Sequence, residues 1–317
     1  PKIFVSLLSA CAVVIALSAV PASGKQELKP EQKEARALVQ KAVNLSMDRK
    51  YAEAITVGQR ALELLEKALG PEHLDVADTL SHLARFHEDI GDYGKAESLF
   101  RRSLVILEKA YGPEHPAVAN LLGNLGVLYI DIGEYAKAEP LFRRTLAIQE
   151  KVSGPEDLEV TIALTNLAEL YRTIGEYAKA EFLHRRVLAI AEKAQAPDHL
   201  DVTIPLLNLA ELYRDIGDYA KAETLYRQAL SRLNKALDPE NLNEVGILDR
   251  LALLYRNIGD YTKAEPLHRR ALAIREKVLG PEHRNVAFSL DHLGGLYQDI
   301  EEYAKAEPLH RRALAIE

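Results

Sequence analysis

A tyrosine recurs every 42 residues along this chain without a single insertion, and this period constrains the fold more than any other feature. The tyrosines are Tyr51, Tyr93, Tyr135, Tyr177, Tyr219, Tyr261 and Tyr303. Similar residues surround each one, as in segments 91–96 (GDYGKA) and 133–138 (GEYAKA), and a Gly-Pro-Glu-His motif recurs at 70–73, 112–115 and 280–283. Seven copies in register indicate a repeat protein in which each copy is one supersecondary unit.

Each repeat contains two stretches with the spacing of an amphipathic helix. In the fourth repeat the apolar residues of the first stretch are three or four positions apart: Val160, Leu164, Leu167, Ala168, Tyr171 and Ile174. Gly175 is expected to end this helix, and a second apolar stripe runs from Tyr177 to Ile190. Gly-Pro pairs such as Gly154-Pro155 separate most second helices from the next repeat. The sequence shows no sustained alternation of apolar and polar residues, so strands are not expected.

One helical hairpin cannot bury enough apolar surface to fold alone, because its second face must be covered by a neighbouring hairpin. The length of 317 residues would ordinarily suggest about two globular domains. The repeats predict instead a single all-α solenoid with a concave and a convex surface.

The motif Leu164-x2-Leu167-Ala168-x2-Tyr171, followed by Ala180-x3-His184, resembles the tetratricopeptide repeat. Two features depart from the common 34-residue form: leucine replaces the usual tryptophan, and the second helix is longer. The 42-residue form is similar to the repeats of kinesin light chains and their bacterial relatives, and segments 209–215, 263–267 and 270–280 carry that likeness. The resemblance covers residues 33–317 and implies a right-handed α-solenoid of about seven helix-turn-helix repeats. In this repeat small residues, such as Gly126 and Ala168, let two helices approach closely.

The repeats divide the chain at 33–74, 75–116, 117–158, 159–200, 201–242, 243–284 and 285–317, the last of them incomplete. Residues 25–32 are expected to be a short linker. Residues 1–24 are predicted to be a signal peptide, because Lys2 precedes an apolar run to Val20 and small residues follow, with cleavage after Ala22 or Gly24. An uncleaved anchor and a lipoprotein box at 8–11 (LSAC) are the alternatives. We therefore expect an exported chain, periplasmic or secreted, with no membrane span after cleavage.

The sequence carries no catalytic motif, and its composition excludes several classes of site. The net charge of -7 argues against nucleic-acid binding, and one cysteine excludes a cysteine-built zinc or iron–sulfur centre. His73, His115, His199 and His283 share one position in the turn between repeats, where equivalent residues are a whole repeat apart and cannot converge on a metal. His184, His268 and His310 replace Phe100, Phe142 and Tyr226 and are interpreted as packing residues. We therefore expect no catalytic residue, metal or cofactor, and no enzyme activity.

Arginine pairs recur on the second helices at 101–102, 143–144, 185–186, 269–270 and 311–312, and a glutamate precedes each first arginine by four residues. This order favours an ion pair within one helix, so these pairs are interpreted as a solvated helix face rather than a phosphate-binding stripe.

Two polar columns on the first helices are the candidate binding residues. The resemblance places part of this helix face along the concave groove. Asn124, Asn166 and Asn208 form one column, which Arg250 continues, and Arg172, Arg214 and Arg256 form another. An asparagine amide can donate to and accept from a peptide backbone at once, and an arginine can hold a carboxylate by two hydrogen bonds. Neighbouring acidic side chains, such as Asp215, leave pairing within the protein as the alternative.

These observations predict an exported, non-enzymatic scaffold that binds a peptide or protein segment in its groove, and an acidic segment is one candidate. The alternative is the recognition arm of a larger signalling or caspase-like protein that continues beyond Glu317, as some bacterial relatives with this repeat do.

Overall fold

A computed structural model describes residues 29–194, 202–236 and 241–316 of the chain. The predicted signal peptide and His199 lie outside these residues. The described residues form fourteen helices and no strand. The first helices of the seven pairs are α1 (Pro30–Met47), α3 (Leu74–Asp89), α5 (Pro116–Asp131), α7 (Val160–Thr173), α9 (Thr203–Ile216), α11 (Leu242–Asn257) and α13 (Arg284–Asp299). The second helices are α2 (Tyr51–Leu69), α4 (Tyr93–Tyr111), α6 (Tyr135–Ser153), α8 (Tyr177–Ala194), α10 (Tyr219–Ala236), α12 (Tyr261–Leu279) and α14 (Tyr303–Ile316).

The helices stack in chain order, which confirms the predicted right-handed solenoid. The two helices of each pair pack most extensively, and each second helix from α2 to α12 also packs against the first helix of the next pair. Neighbouring first helices touch at α5 and α7, which brings them side by side along one surface. The first helix begins at Pro30, inside the segment 25–32 that was expected to be a linker, because proline suits the first turn of a helix.

Glycines with positive φ end the helices where the sequence analysis placed them. Gly175 follows α7 with φ of 80°, and Gly154 follows α6 with φ of 96° and ψ of 154°, a conformation that side chains with a Cβ rarely adopt. In the seventh repeat Glu301 occupies the position equivalent to Gly175 and still adopts φ of 60°.

The core is a continuous row of aliphatic and tyrosine side chains between successive helices. Leu164, Ala168 and Tyr171 are buried in α7, and their equivalents in the second to seventh repeats are buried in the same way. The small residue at the helix crossing is required in the third repeat, since a Cβ on Gly126 would lie 2.6 Å from the ring of Phe142. The close approach predicted from Gly126 is therefore present.

The recurring histidines of the inter-repeat turns cap the N-termini of the first helices. The Nδ1 atoms of His73, His115 and His283 each accept a hydrogen bond of 3.1 Å from a backbone N–H two residues further on. Asn241 and Asp157 accept the equivalent bond through side-chain oxygens. Because capping needs only an acceptor at this position, the three residue types can replace one another.

Candidate functional site

The concave side of repeats two to five contains a groove of about 650 Å³, which we call the central groove. Residues of α3, α5, α7 and α9 form most of it, and α6 and α8 supply its floor. Val127, Leu158, Ile162 and Ile204 give it an apolar wall, and the last two are 49% and 61% exposed. An open groove with exposed aliphatic side chains and a few polar groups is suited to hold part of another molecule.

The three predicted asparagines lie together in this groove. Asn124, Asn166 and Asn208 all line it and are half-buried. Their side-chain amides make no hydrogen bond to any other described residue, so the donor and the acceptor of each are unpaired there. Gln149 also lines the groove, and its buried Oε1 has no hydrogen-bond partner there. A side-chain amide with an unpaired donor and acceptor can bond a peptide backbone through both.

Arg172 and Arg214 lie outside the lining of the central groove and are held by carboxylates. Arg172 forms ion pairs with Glu169 at 2.6 Å, within α7, and with Asp215 at 2.5 Å, in the next repeat. Arg214 pairs with Glu211 and, at 2.8 Å, with Asp215. Arg172 therefore connects the fourth and fifth repeats, whereas these two partners of Arg214 lie on its own helix. Both arginines show the internal pairing that the sequence left open as the alternative.

Arg250 and Arg256 are also engaged within the protein. Arg250 lies 3.1 Å from Glu211 and donates to the Gly246 carbonyl at 2.9 Å. Arg256 forms an ion pair with Asp299 in the following repeat. Neither lines the central groove. The arginines that suggested an acidic partner thus have acidic partners inside the protein, and the structure offers no support for an acidic ligand.

One end of the central groove is acidic. Glu88, Asp89 and Asp131 line it beside Arg85, and none of the four forms an ion pair within 4.0 Å in the described part of the chain. Burial, with a contribution from the nearby Asp131 charge, raises the pKa of Glu88 to about 7. Burial also raises the pKa of Asp131 and of Asp89. Arg85 offsets only part of this effect on Glu88 and Asp89, so a further cationic group placed here would stabilise the charged carboxylates.

The arginine pairs of the second helices do more than form pairs within one helix. Arg185 and Glu181 form the expected ion pair at 2.9 Å, and both also bond the buried hydroxyl of Tyr213 in the next repeat. The second arginine reaches backwards: Arg144 lies 2.6 Å from Glu108 on the preceding second helix. The interpretation of these pairs as a solvated face was therefore incomplete, because stacking brings each of them against neighbouring repeats.

A cluster that sequence reasoning missed joins the sixth and seventh repeats. Asp249 of α11, His268 of α12 and His292 of α13 bring one ligand atom each to within 4.8 Å of one another. Burial lowers the pKa of His268 to about 4 and also lowers the pKa of His292, so both imidazoles are neutral near pH 7. Equivalent positions of successive repeats lie too far apart to share a metal, but these three residues occupy different positions within the repeat.

The chain belongs to the tetratricopeptide repeat family, whose sequence profile matches residues 33–109, 75–151, 120–193, 159–235 and 244–316. Arrays of this repeat are protein-interaction scaffolds with extended concave surfaces, and the fold is typically non-catalytic.

No curated protein sequence matches the chain. Within the described residues, no helix is both long and apolar enough to cross a bilayer.

Solved structures with similar folds include kinesin light chain-type proteins. One is a Podosopora anserina kinesin light chain protein with nearly identical TPR-like repeats, at 23% identity and a TM-score of 0.60, covering 66% of this chain and 98% of that one. Another is BtubC (BKLC) from P. vanneervenii, at 25% identity and a TM-score of 0.57, covering 72% and 89%. The apo form of RapI has 17% identity and a TM-score of 0.60, covering 89% and 97%, which shows a common fold alone.

Proposed function

We propose that this protein is a non-enzymatic scaffold that binds an extended peptide segment of a partner protein in the central groove. The observation that carries the proposal is the column of unbonded amides, Asn124, Asn166 and Asn208, on three consecutive first helices. Equivalent residues of stacked repeats recur at regular intervals along the groove, as do the amide groups of an extended backbone. Each asparagine would donate to a carbonyl and accept from an N–H of the segment.

The charges of the groove favour a segment with a lysine or arginine at the end that meets Glu88 and Asp131. Partial burial raises the pKa of both carboxylates, and neither forms an ion pair in the described residues. A bound ammonium or guanidinium group would stabilise their charged forms and orient the segment along the groove. Ile162 and Ile204 would then contact the apolar side chains of the segment.

The export of the chain is a separate part of the proposal and rests on the sequence of residues 1–24. The basic start, apolar run and small residues of this segment support a cleaved signal peptide. Expression of the whole chain in a bacterium, followed by fractionation and N-terminal sequencing, tests it. A mature chain that begins at Ser23 or Lys25 in the exported fraction supports export, and an unprocessed cytoplasmic chain contradicts it.

Binding in the groove is tested with peptides selected from a random library against the purified chain. A triple variant, Asn124→Ala, Asn166→Ala and Asn208→Ala, should lose at least tenfold in affinity while its helical circular dichroism is unchanged. A matched control replaces Gln59 and Gln228, exposed amides on second helices outside the groove, by alanine and should bind normally. Equal affinity of the triple variant and the parent would contradict the groove assignment.

The charge preference has its own test, because it can fail while the groove assignment stands. Exchange of the lysine or arginine of a selected peptide for alanine should weaken binding to the parent chain. The same exchange should have little effect on a Glu88→Gln, Asp131→Asn variant. Selection of peptides without any basic residue would contradict the charge preference alone.

A further inference from the structure

The most unusual side chains outside the central groove are Asp249, His268 and His292, where two neighbouring repeats meet. His268 is 1% exposed and Asp249 is 8% exposed, whereas His292 is half-buried. The two imidazole rings meet edge to face with centroids 5.6 Å apart, and His268 Nδ1 lies 4.0 Å from Asp249 Oδ1.

Each residue of this cluster has at least one buried polar atom without a hydrogen bond. Asp249 Oδ1, both ring nitrogens of His268 and Nδ1 of His292 have no partner in the described residues. Buried polar atoms are nearly always paired, since an unpaired donor or acceptor costs about 1–3 kcal/mol. One ligand atom from each of the three side chains lies within 4.8 Å of the other two, which indicates a missing group that binds one atom of each residue.

We propose that Asp249, His268 and His292 bind a divalent transition-metal ion, for which Zn²⁺ is the probe. Two imidazoles and one carboxylate form a common ligand set for such ions. Zinc ligands lie about 2.0–2.2 Å from the ion, so in a tetrahedral site their atoms are roughly 3.4 Å apart. The ligand atoms lie at most 4.8 Å apart, so small side-chain rotations would have to bring them about 1.4 Å closer.

The surroundings orient the proposed ligands. Arg275 donates to Asp249 Oδ2 at 2.8 Å and also bonds Ser289, which leaves Oδ1 as the atom that faces the histidines. Phe288 packs against the ring of His292 at 4.3 Å between centroids. Hydrogen bonds from outside the ligand set fix ligand geometry in metal sites, and Arg275 occupies such a position. The partial exposure of His292 provides the entry path.

Comparison with the other described repeats explains why the full set meets at this junction. At the position of His268 the second helices contain Gly58, Phe100, Phe142, His184, Tyr226 and His310. His310 lies 2.9 Å from Asp291, the equivalent of Asp249, but it belongs to the last described helix, and no described residue there corresponds to His292. His184 lies near Glu169, and the counterpart of His292 there is Asn208.

The proposal is tested by calorimetric titration of the purified, untagged and metal-stripped chain with Zn²⁺. One saturable site per chain is expected, and Mg²⁺, which prefers oxygen ligands, should not compete. His268→Phe and His292→Asn introduce residues that other repeats carry at these positions, and each should weaken zinc binding at least tenfold. His184→Phe makes the same exchange two repeats earlier and should leave zinc binding unchanged.

Two results would overturn the metal site. One is the absence of saturable zinc binding by the parent chain. The other is binding by both the His268→Phe and His292→Asn variants with the affinity of the parent, which would assign the zinc to other histidines. Circular dichroism of each variant identifies any loss of folding, and His292→Asn, at a half-buried position, provides the test if His268→Phe does not fold.

Discussion

The hydroxyl of Tyr213 donates a hydrogen bond of 2.7 Å to the carboxylate of Glu181 across the boundary between the fourth and fifth repeats. Arg185, one turn beyond Glu181, donates to the same hydroxyl at 2.8 Å. The contact recurs in other repeats, as between Tyr129 and Glu97. A single phenol thus joins an ion pair of one repeat to the first helix of the next.

Loss of this hydroxyl should weaken the junction between repeats. Tyr213→Phe removes two hydrogen bonds to charged groups, and we expect a loss of about 1–2 kcal/mol in the free energy of unfolding. Denaturant unfolding followed by circular dichroism measures it. Tyr219→Phe is the control, because Tyr219 is 39% exposed and its hydroxyl has no bond in the described residues. Equal unfolding midpoints for both variants would contradict this role.

The helix crossing of the third repeat should not tolerate one added methyl group. In Gly126→Ala the new Cβ would overlap the ring of Phe142, and overpacking of this kind costs about 1–3 kcal/mol. The lower melting temperature should be visible by calorimetry. The control is Gly94→Ala, at a helical glycine where an added Cβ would have no neighbouring atom within 4 Å. This variant should be as stable as the parent or more stable. A Gly126→Ala variant as stable as the parent would show that the helices move apart at little cost.

The histidine caps should be replaceable by other acceptors but not by alanine. His283→Ala removes the acceptor of the Asn285 N–H and should cost about 0.5–2 kcal/mol. His283→Asn should retain most of the stability, because Asn241 provides the same cap in the preceding repeat. Thermal unfolding of the two variants at one pH compares them. If both lose equal stability, the ring of His283 acts through packing rather than through the hydrogen bond.

The acidic end of the central groove should make stability depend on pH. The pKa of Glu88 is about 7 in the folded chain against 4.5 as its ordinary value, so the unfolded chain binds fewer protons between these values. The contribution of Glu88 is therefore fully present below about pH 4.5 and is lost as pH rises through 7. Glu88→Gln should reduce the fall in melting temperature from pH 5 to pH 8, although Asp131 and Asp89 contribute in the same direction.

The matched control for this pH dependence is Glu53→Gln, at an exposed position of α2 outside the groove. This variant should keep the pH dependence of the parent. A parent chain whose melting temperature is constant over this range would contradict the raised pKa of Glu88.

The amino-acid sequence by itself determined the helices, their order and the faces that pack. Because every repeat has the same length, residues 42 positions apart lie on the same face of successive repeats. Asn124, Asn166 and Asn208 could therefore be assigned to one surface from their spacing. The close helix crossing at Gly126 followed in the same way, since it depends on a local pattern.

Only the tertiary structure decided what the long and buried polar side chains contact. Arg172 reaches Asp215 because of the offset between neighbouring first helices, which a column of equivalent residues does not reveal. Asp249, His268 and His292 come from three different positions within the repeat and meet because three helices of two repeats converge there. The period fixes the direction in which each side chain points, whereas the distances between helices fix which side chains meet.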